Sequence, residues 1–487
     1  MAWHAFEDWP LVFRGGSMER FEAGVSIDGF ELVEKLPSGG MAALWRAKNP
    51  KFDFPLLLKI PFLDPGGDVS VILGFEAEEL ILKRLSGPHV PRFAASGGLA
   101  KVPFIAMEFV AGSGLSDGAG RAPLPPDQVV RIGAEIATAL AALHRQKVIH
   151  LDLKPENVIL AERGAVLLDF GLSRHAELPD LLGEESSVPM GTPAYIAPEQ
   201  VLGERSDPAS DLFALGCILY QLVTGEEPFG RPATLAGMKR RLYHAPKPPR
   251  DIDKTIPRWL EAIILRCMEV DRSKRYGEAA HVLSDLRNPD QVVVARRRAP
   301  SDAGAWGAIR NFLRRPDEKS LVGKAANSGS KAGPPIVLAA VDLANGSDAL
   351  AGEVLSETAR VLAAREDSRL ACVTVLKTEI IAETPSVDES GRLVYLQRLV
   401  ALKDWARPLH LPEDRISYHA LEAVSPADAI LSYAERNDVG HIVVGARSSS
   451  AIRRHLGSVS TKVVARALCS VSVVRLKVVE EQMRESP

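Results

Sequence analysis

The sequence predicts two folded parts of different class, an α+β bilobal part followed by an α/β doubly wound parallel sheet. Three observations carry this reading. At 487 residues the chain exceeds what one ordinary core supports and implies two or three domains. Its first half sets short alternating apolar runs before long helical stripes, whereas from Ile336 onward apolar β-rich runs alternate with amphipathic helices. Between the two, residues 289–334 (ARRRAPSDAG, RRPDEKS, KAANSGSKAGPP) are rich in basic, small and breaker residues and read as a basic flexible linker.

The elements follow in order. Residues 1–29 form an N-terminal extension. FELVEKL and AALWRAK read as strands bracketing Ser38-Gly39-Gly40, and PLLLKIPF as a third strand. FEAEELILKRL (75–85) has apolar residues at helical spacing, and FIAMEFV is a further strand leading into the bend AGSG. From Pro126, DQVVRIGAEIATALAALHRQ carries an apolar stripe with an acid near its start, as a helix should. DLFALGCILYQLVTG (211–225) is apolar almost all round, which places it inside a large domain. WLEAIILRCMEV and AAHVLSDL close this part near residue 288. Within the linker, WGAIRNFLRR reads as a short basic amphipathic segment, for which partial order is favoured over membrane contact or docking on a lobe. The second part, 335–476, runs IVLAAVDL, ALAGEVLSETARVLAARE, LACVTVL, PADAILSYAERN, HIVVGA, TKVVARAL and SVSVVRLKVV, before a tail at 477–487.

Composition limits the function classes. With 46% hydrophobic and 25% charged residues the chain has an ordinary globular balance, and a net charge of −3 gives no footprint for nucleic acid. Cys217, Cys267, Cys372 and Cys469 are scattered without metal-ligand or disulfide-framework spacing, which suits a reducing cytoplasm. The start carries acids and a proline where a signal peptide needs a basic cap and an apolar run. No apolar run reaches the roughly 18 residues of a membrane span, so a cytoplasmic location is expected.

The chemistry concentrates in His150–Asn157, HLDLKPEN, with Asp169-Phe170-Gly171 shortly beyond. A carboxylate, a lysine two residues on, an asparagine and a second carboxylate before glycine meet the needs of phosphoryl transfer from a nucleotide. Asp152 can orient a hydroxyl nucleophile and Lys154 can sit against the transferring group. Asn157 and Asp169 can hold Mg²⁺, with Mn²⁺ as the alternative.

This segment resembles the catalytic loop and metal motif of protein kinases, and residues 30–288 resemble the bacterial Ser/Thr protein kinases. The resemblance implies an α+β bilobal protein-kinase fold. It implies that Lys59 reaches the α/β-phosphates of ATP and that Glu78 is its partner, with Glu79 and Glu76 as fallbacks. Met107 falls at the gatekeeper position, and Glu108 to Val110 form the hinge whose backbone bonds adenine. Leu36, Ser38, Gly39, Gly40, Leu44, Leu57 and Ile159 complete the implied nucleotide-binding set. Ala197-Pro198-Glu199 matches the end of an activation segment, Asp211 the acid that braces the catalytic loop, and Arg275 the arginine that pairs with Glu199. DLKPEN and GTPAY imply serine or threonine acceptors, with Thr192 a structural and acceptor-contacting residue.

Three departures stand out. Pro37 and Ala42 replace loop glycines, and Pro37 removes an N–H, which predicts a weaker or stiffer phosphate clamp. Leu57 stands where a small residue usually covers adenine. Leu151 replaces the arginine that commonly pairs with an activation-loop phosphate, so activity independent of phosphorylation at Ser186, Ser187 or Thr192 is expected.

Residues 335–476 resemble the universal stress protein family. VDL places Asp342 where nucleotide-binding members contact adenine or ribose. VVGARSSSAIRRHLGSVS aligns Gly445, Gly457, Ser458 and Ser460 with their phosphate-binding segment. Ser448 stands where a second glycine belongs, with Arg447, Arg453 and Arg454 as electrostatic compensation. A second nucleotide and a sensor or dimerisation module without one are both open. SVSVVRLKVV suggests a homodimer edge, against a covered edge strand. The leading expectation is a Ser/Thr protein kinase acting on a protein acceptor, with a fused stress-sensing domain. A pseudokinase scaffold is the alternative, and a nucleotide-responsive switch the third reading.

Overall fold

A computed structural model describes residues 21–63, 68–99, 101–186, 188–294, 334–343, 348–378, 387–388, 393–446 and 457–476. Most of the N-terminal extension and of the linker, including WGAIRNFLRR, lie outside the described residues, as do Ser187, Arg447, Ser448, Arg453, Arg454 and the tail.

The small lobe is a six-stranded antiparallel sheet of β1 (Ser26–Ile27), β2 (Phe30–Leu36), β3 (Ala42–Lys48), β4 (Leu56–Pro61), β5 (Phe93–Gly97) and β6 (Phe104–Glu108), in the order β1-β2-β3-β4-β6-β5. Helix α1 (Ser70–Leu82) enters between β4 and β5. Strand alternation sorts its side chains. Leu56, Leu58 and Ile60 bury with Phe30, Leu32, Trp45 and Phe104 on one face. Leu57 and Lys59 therefore leave from the other. There Leu36, Leu44, Lys59 and Ile105 form one register row, and Leu57 pairs with Met107.

α1 begins at Ser70, five residues before the stretch the apolar spacing marks. Its opening SVILG is β-branched and glycine-bearing and has no side-chain cap, so intrinsic propensity is weak there. Tertiary burial makes up the difference, since Ile72 and Leu73 are both buried against other parts of the molecule.

The large lobe runs through β7 (Ser113–Gly114), α2 (Leu115–Ala119), α3 (Pro126–Arg145), β8 (Val148–Ile149), β9 (Val158–Ala161), β10 (Gly164–Leu167) and β11 (Arg174–His175). It continues with α4 (Leu181–Glu185), α5 (Pro198–Val201), α6 (Ala209–Thr224), α7 (Leu235–Lys239), α8 (Arg258–Cys267) and α9 (Ala279–Arg287). α6 is buried along nearly its whole length and shares one core with α3, α8 and α9.

The C-terminal part is a five-stranded, all-parallel sheet of β12 (Ile336–Ala340), β13 (Arg369–Lys377), β14 (Ile416–Ala423), β15 (Val439–Gly445) and β16 (Ser470–Val474), ordered β14-β13-β12-β15-β16. Helices α10 (Asp348–Ala363) and α11 (Val394–Ala406) cover one face, and α12 (Pro426–Arg436) and α13 (Ser458–Arg466) the other. This is a doubly wound sheet whose order reverses between β12 and β15. Two elements were passed over in the apolar pattern, α11 and β14. The final strand is shorter than SVSVVRLKVV, ending at Val474, and it lies at a sheet edge.

Candidate active site

The catalytic-loop residues are placed by a buried acid. Asp211, at the start of α6 and 1% exposed, accepts from the backbone N–H groups of His150 (2.8 Å) and Leu151 (2.9 Å) and lies 2.8 Å from His144 Nε2. Burial works against this carboxylate, but the hydrogen bond and charge of His144 outweigh it and hold its pKa below the usual range. His150 Nε2 lies 3.0 Å from the Leu168 carbonyl, and its ring meets that of Phe170 at 5.4 Å. The HLDLKPEN loop and the Asp169-Phe170-Gly171 turn are thus tied to one another and to the large-lobe core.

Leu151 and Asp169 both adopt the left-handed backbone region, at φ 62° and 61°. For residues other than glycine this costs about 1–3 kcal/mol each, and it persists only where surroundings enforce it. Asp211 enforces it at Leu151. Asp169 has its side chain held by Lys59.

Lys59 Nζ bridges two lobes, lying 2.6 Å from Glu78 Oε2 and 2.8 Å from Asp169 Oδ1. Of the acids on α1, Glu78 is the one that faces it. Glu79 turns to Ser96 and Lys83, and Glu76 to Lys403 in the C-terminal part. Burial would lower the Lys59 ammonium, yet the two carboxylates outweigh it and keep it charged. The charge of Lys59 also pulls Asp169 down to about 2 against the effect of burial. Glu78 is raised, chiefly by burial, with Lys59 opposing. Gly74 lets α1 approach this turn, because a Cβ there would sit 3.1 Å from the Gly171 carbonyl oxygen.

Asp152, Lys154, Asn157 and Thr192 form a second knot. The N–H and hydroxyl of Thr192 both donate to Asp152 Oδ1, at 2.8 and 2.7 Å. Lys154 Nζ lies 2.9 Å from Asp152 Oδ2 and donates to Thr192 Oγ1 at 3.2 Å. Burial would lower Lys154, but Asp152 raises it. The Asn157 amide nitrogen donates to the Asp152 carbonyl at 2.9 Å. Glu199 accepts from the two terminal guanidinium nitrogens of Arg275 at 2.6 and 2.8 Å and from Ser210 at 2.7 Å, which pins the Ala197-Pro198-Glu199 segment.

Leu36, Leu44, Leu57 and Met107 lie on the Lys59 face of the small-lobe sheet, and Ile159 lies half-buried on β9. Met107 is buried and Leu57 is partly buried beside it. The Glu108 carboxylate is taken by Arg163 at 2.7 and 3.0 Å, an ion pair that sequence order did not signal across 55 residues. Pro37, Ser38, Gly39 and Gly40 are exposed, and a Cβ on either glycine would meet open space. The fold itself does not require glycine there.

In the C-terminal part, Asp342 and Gly445 follow β12 and end β15, at the point where the strand order reverses. Asp342 is exposed. Gly445 has a packing reason of its own, since a Cβ would crowd Leu350 at 3.1 Å. Gly457 and Ser458 begin α13, and the buried Ser460 hydroxyl donates to the Gly457 carbonyl at 3.0 Å.

The two lobes, the strand lysine bridged to both acids and the braced catalytic loop together define a protein-kinase fold with an appended α/β domain. Comparison with known proteins places it further. A model of the protein kinase domain matches residues 69–286, and a model of the universal stress protein family matches residues 335–475. Serine/threonine-protein kinase PknL of Mycobacterium bovis is 30% identical over 294 residues, covering 60% of this chain and 73% of the relative. Serine/threonine-protein kinase pkn2 of Myxococcus xanthus is 33% identical over 268 residues, covering 53% and 32%. A probable serine/threonine-protein kinase of Clostridium perfringens is 30% identical over 279 residues, covering 56% and 40%. The chain therefore spans less than half the length of the last two relatives. The crystal structure of the Mycobacterium tuberculosis PknI kinase domain aligns with a TM-score of 0.44 at 24% identity, covering 55% of this chain and 98% of that one. The chain belongs to the bacterial serine/threonine-protein kinase family and carries a universal stress protein domain behind the kinase domain.

Proposed function

We propose that this chain is an ATP-dependent protein kinase that transfers the γ-phosphoryl group to serine or threonine hydroxyls of a protein. One observation carries the reading: Lys59 bridges Glu78 and Asp169 while Asp152 is held between Lys154, Thr192 and Asn157. Lys59 would bind the α/β-phosphates, oriented by Glu78. Asp152 would accept or orient the acceptor hydroxyl, and Lys154 would offset charge on the transferring group. The backbone of Glu108 and Val110 would bond adenine, Leu36, Leu44, Leu57, Met107 and Ile159 would enclose it, and Ser38, Gly39 and Gly40 would lie over the phosphates.

Asn157 and Asp169 suit Mg²⁺, with Mn²⁺ as alternative. They are hard oxygen donors, and Mg²⁺ is commonly held by one or two such groups plus phosphates. The Asn157 amide nitrogen is engaged by Asp152, so its side-chain oxygen is the end left to coordinate. When bound, the metal neutralises phosphate charge.

The scaffold alternative draws on Pro37, Ala42 and Leu57, while the charged residues are assembled. A second nucleotide near Asp342, Gly445, Gly457, Ser458 and Ser460, a homodimer through the β16 edge and a cytoplasmic location are further parts of the proposal. The switch-point position of Asp342 and Gly445 supports the first, and the edge position of β16 supports the second. Among the described residues no helix is long and apolar enough to cross a membrane.

The test is transfer of radiolabelled phosphate from ATP to myelin basic protein and to the chain itself, by wild type and Asp152→Ala. Transfer falling by about 10²–10⁴-fold in the variant is expected for a lost general base. Absence of transfer by a folded wild type would leave the scaffold reading in its place.

A further inference from the structure

The universal stress protein domain does not hang free in this structure. It grips two elements on which the catalytic constellation depends, α1 and α4. On α1, Glu76 pairs with Lys403 of α11, and just past its end Lys83 lies 3.3 Å from Glu413 and Arg84 3.9 Å from Asp414. Ile72 and Leu63 share an apolar cluster with Leu396, Leu399 and Val400. Glu76 and Glu78 are two residues apart and so leave the helix in different directions. One is tied to the C-terminal domain and the other to Lys59.

The second grip is on the activation segment. Glu184 of α4 is 5% exposed, and its carboxylate accepts from Arg369 (2.7 Å), Tyr433 (2.7 Å) and Ser417 (3.2 Å), with His419 Nε2 at 2.9 Å. His419 is fully buried, and its other nitrogen lies 2.9 Å from Glu185 Oε1. Asn437 and Arg436 donate to the carbonyls of Glu184 and Glu185. A carboxylate this buried is stable only with such partners, and removing them leaves it uncompensated. The two grips are joined directly, because Leu73 of α1 packs on Leu181 and Leu182 of α4.

We propose that the universal stress protein domain is an intramolecular activating clasp, which holds α1 and α4 together so that Lys59, Glu78 and Asp169 stay aligned. This rests on the kinase reading above. The energetic logic is that of linked equilibria. Docking favours the aligned arrangement by the contacts it makes only there, and whatever changes docking changes alignment by the same free energy. Leu151 cannot receive an activation-loop phosphate, and α4 is instead anchored to the other domain through its Glu184 and to the kinase domain through its N-cap Asp180, which accepts from Arg205 Nε at 3.0 Å. The partner that this surface of α11 and β14 fits is the chain's own kinase domain. Lys403, Arg369 and His419 are positioning residues and touch no reacting group.

The test uses the full chain. Wild type, Glu184→Gln, Lys403→Glu and the charge swap Lys403→Glu with Glu76→Lys are compared. The readouts are transfer from radiolabelled ATP to myelin basic protein and hydrogen–deuterium exchange of residues 70–82 and 181–185. The expected result is a fall in kcat of about 5- to 150-fold in the single variants, the usual span of a coupling between sites. Faster exchange in both segments should accompany it, and the charge swap should recover much of both losses. Faster exchange with unchanged or increased transfer overturns the activating role, and unchanged exchange overturns the docking itself. No transfer by the wild type overturns the kinase reading and the activating role together, whereas equal transfer by all four proteins overturns the clasp alone.

Discussion

One cluster of charge is built on Glu78 of α1 and another on Glu184 of α4, and they differ in what they leave unfinished. In the kinase cleft, Lys59 bridges Glu78 and Asp169, and the Asp169 side chain remains 43% exposed. Around Glu184, by contrast, an arginine, a histidine, a tyrosine and a serine close on one carboxylate. The first cluster has capacity left for phosphate and metal, while the second is saturated by its own chain. A cluster with open valence is suited to chemistry, and a closed one to locking two domains in register.

The sharpest way to break that comparison is to remove the cation from each. Lys59→Met is expected to lower kcat/KM by roughly 10²–10³-fold, the scale for losing one electrostatic contact in a transition state. Arg369→Met should instead lower unfolding free energy by about 2 kcal/mol, the loss of a charged hydrogen bond, measured by denaturant titration. Because Arg369 holds Glu184, a fall in kcat within the clasp's roughly 5- to 150-fold should accompany that loss; unchanged stability together with a catalytic loss as large as that of Lys59→Met would reverse the assignment.

pH sharpens it further. Burial would lower His419, but hydrogen bonds to Glu184 and Glu185 raise it to about 9, while Glu184, despite burial, is held to about 2 by His419 and Arg369. The groups facing His419 are Glu184 and Glu185 from α4 and Tyr433 from α12, with Arg369 on β13 sharing Glu184. A histidine raised on folding stabilises fully below its ordinary value of 6.5 and loses that contribution as pH climbs through about 9. Exchange of residues 181–185 should therefore accelerate between pH 7 and about 9.5 beyond its intrinsic rise, and His419→Gln should flatten that profile.

Smaller effects bear on the open cluster alone. Pro37→Gly should lower the KM for ATP by restoring an N–H and loop freedom over the phosphates. An unaltered KM would remove the loop from the argument. The smallest expected effect is none: phosphatase treatment should leave kcat unchanged within error, because Leu151 offers no cation to a loop phosphate. Near-complete loss of activity would show a phosphate-operated switch.

The open cluster was legible because phosphoryl transfer imposes fixed residue types at short, ordered spacings, as in Asp152, Lys154 and Asn157. Thr192 was readable for the same reason, from GTPAY. Lys59 and Glu78 rested on the resemblance to kinases, which left Glu79 and Glu76 as fallbacks, and the structure turns those two to other partners. The closed cluster left no comparable trace. Glu184 sits in a five-residue helix, and its partners Arg369, His419 and Tyr433 lie 185, 235 and 249 positions away. β14, which carries Ser417 and His419, interrupts its apolar pattern with these polar side chains. The polar residues face the kinase domain rather than water, so a reading by period alone passed it over. The early start of α1 has the same origin, since SVILG is helical by virtue of what Ile72 and Leu73 touch.

The sequence by itself determined the two fold classes, their order along the chain and which charged residues to look for in the cleft. Those depend on local periodicity and on chemistry that tolerates few substitutes. Only the tertiary structure decided that the second domain grips α1 and α4. Complementary burial between distant segments is set by shape and charge across the folded chain, and neither segment announces its partner in its own spacing.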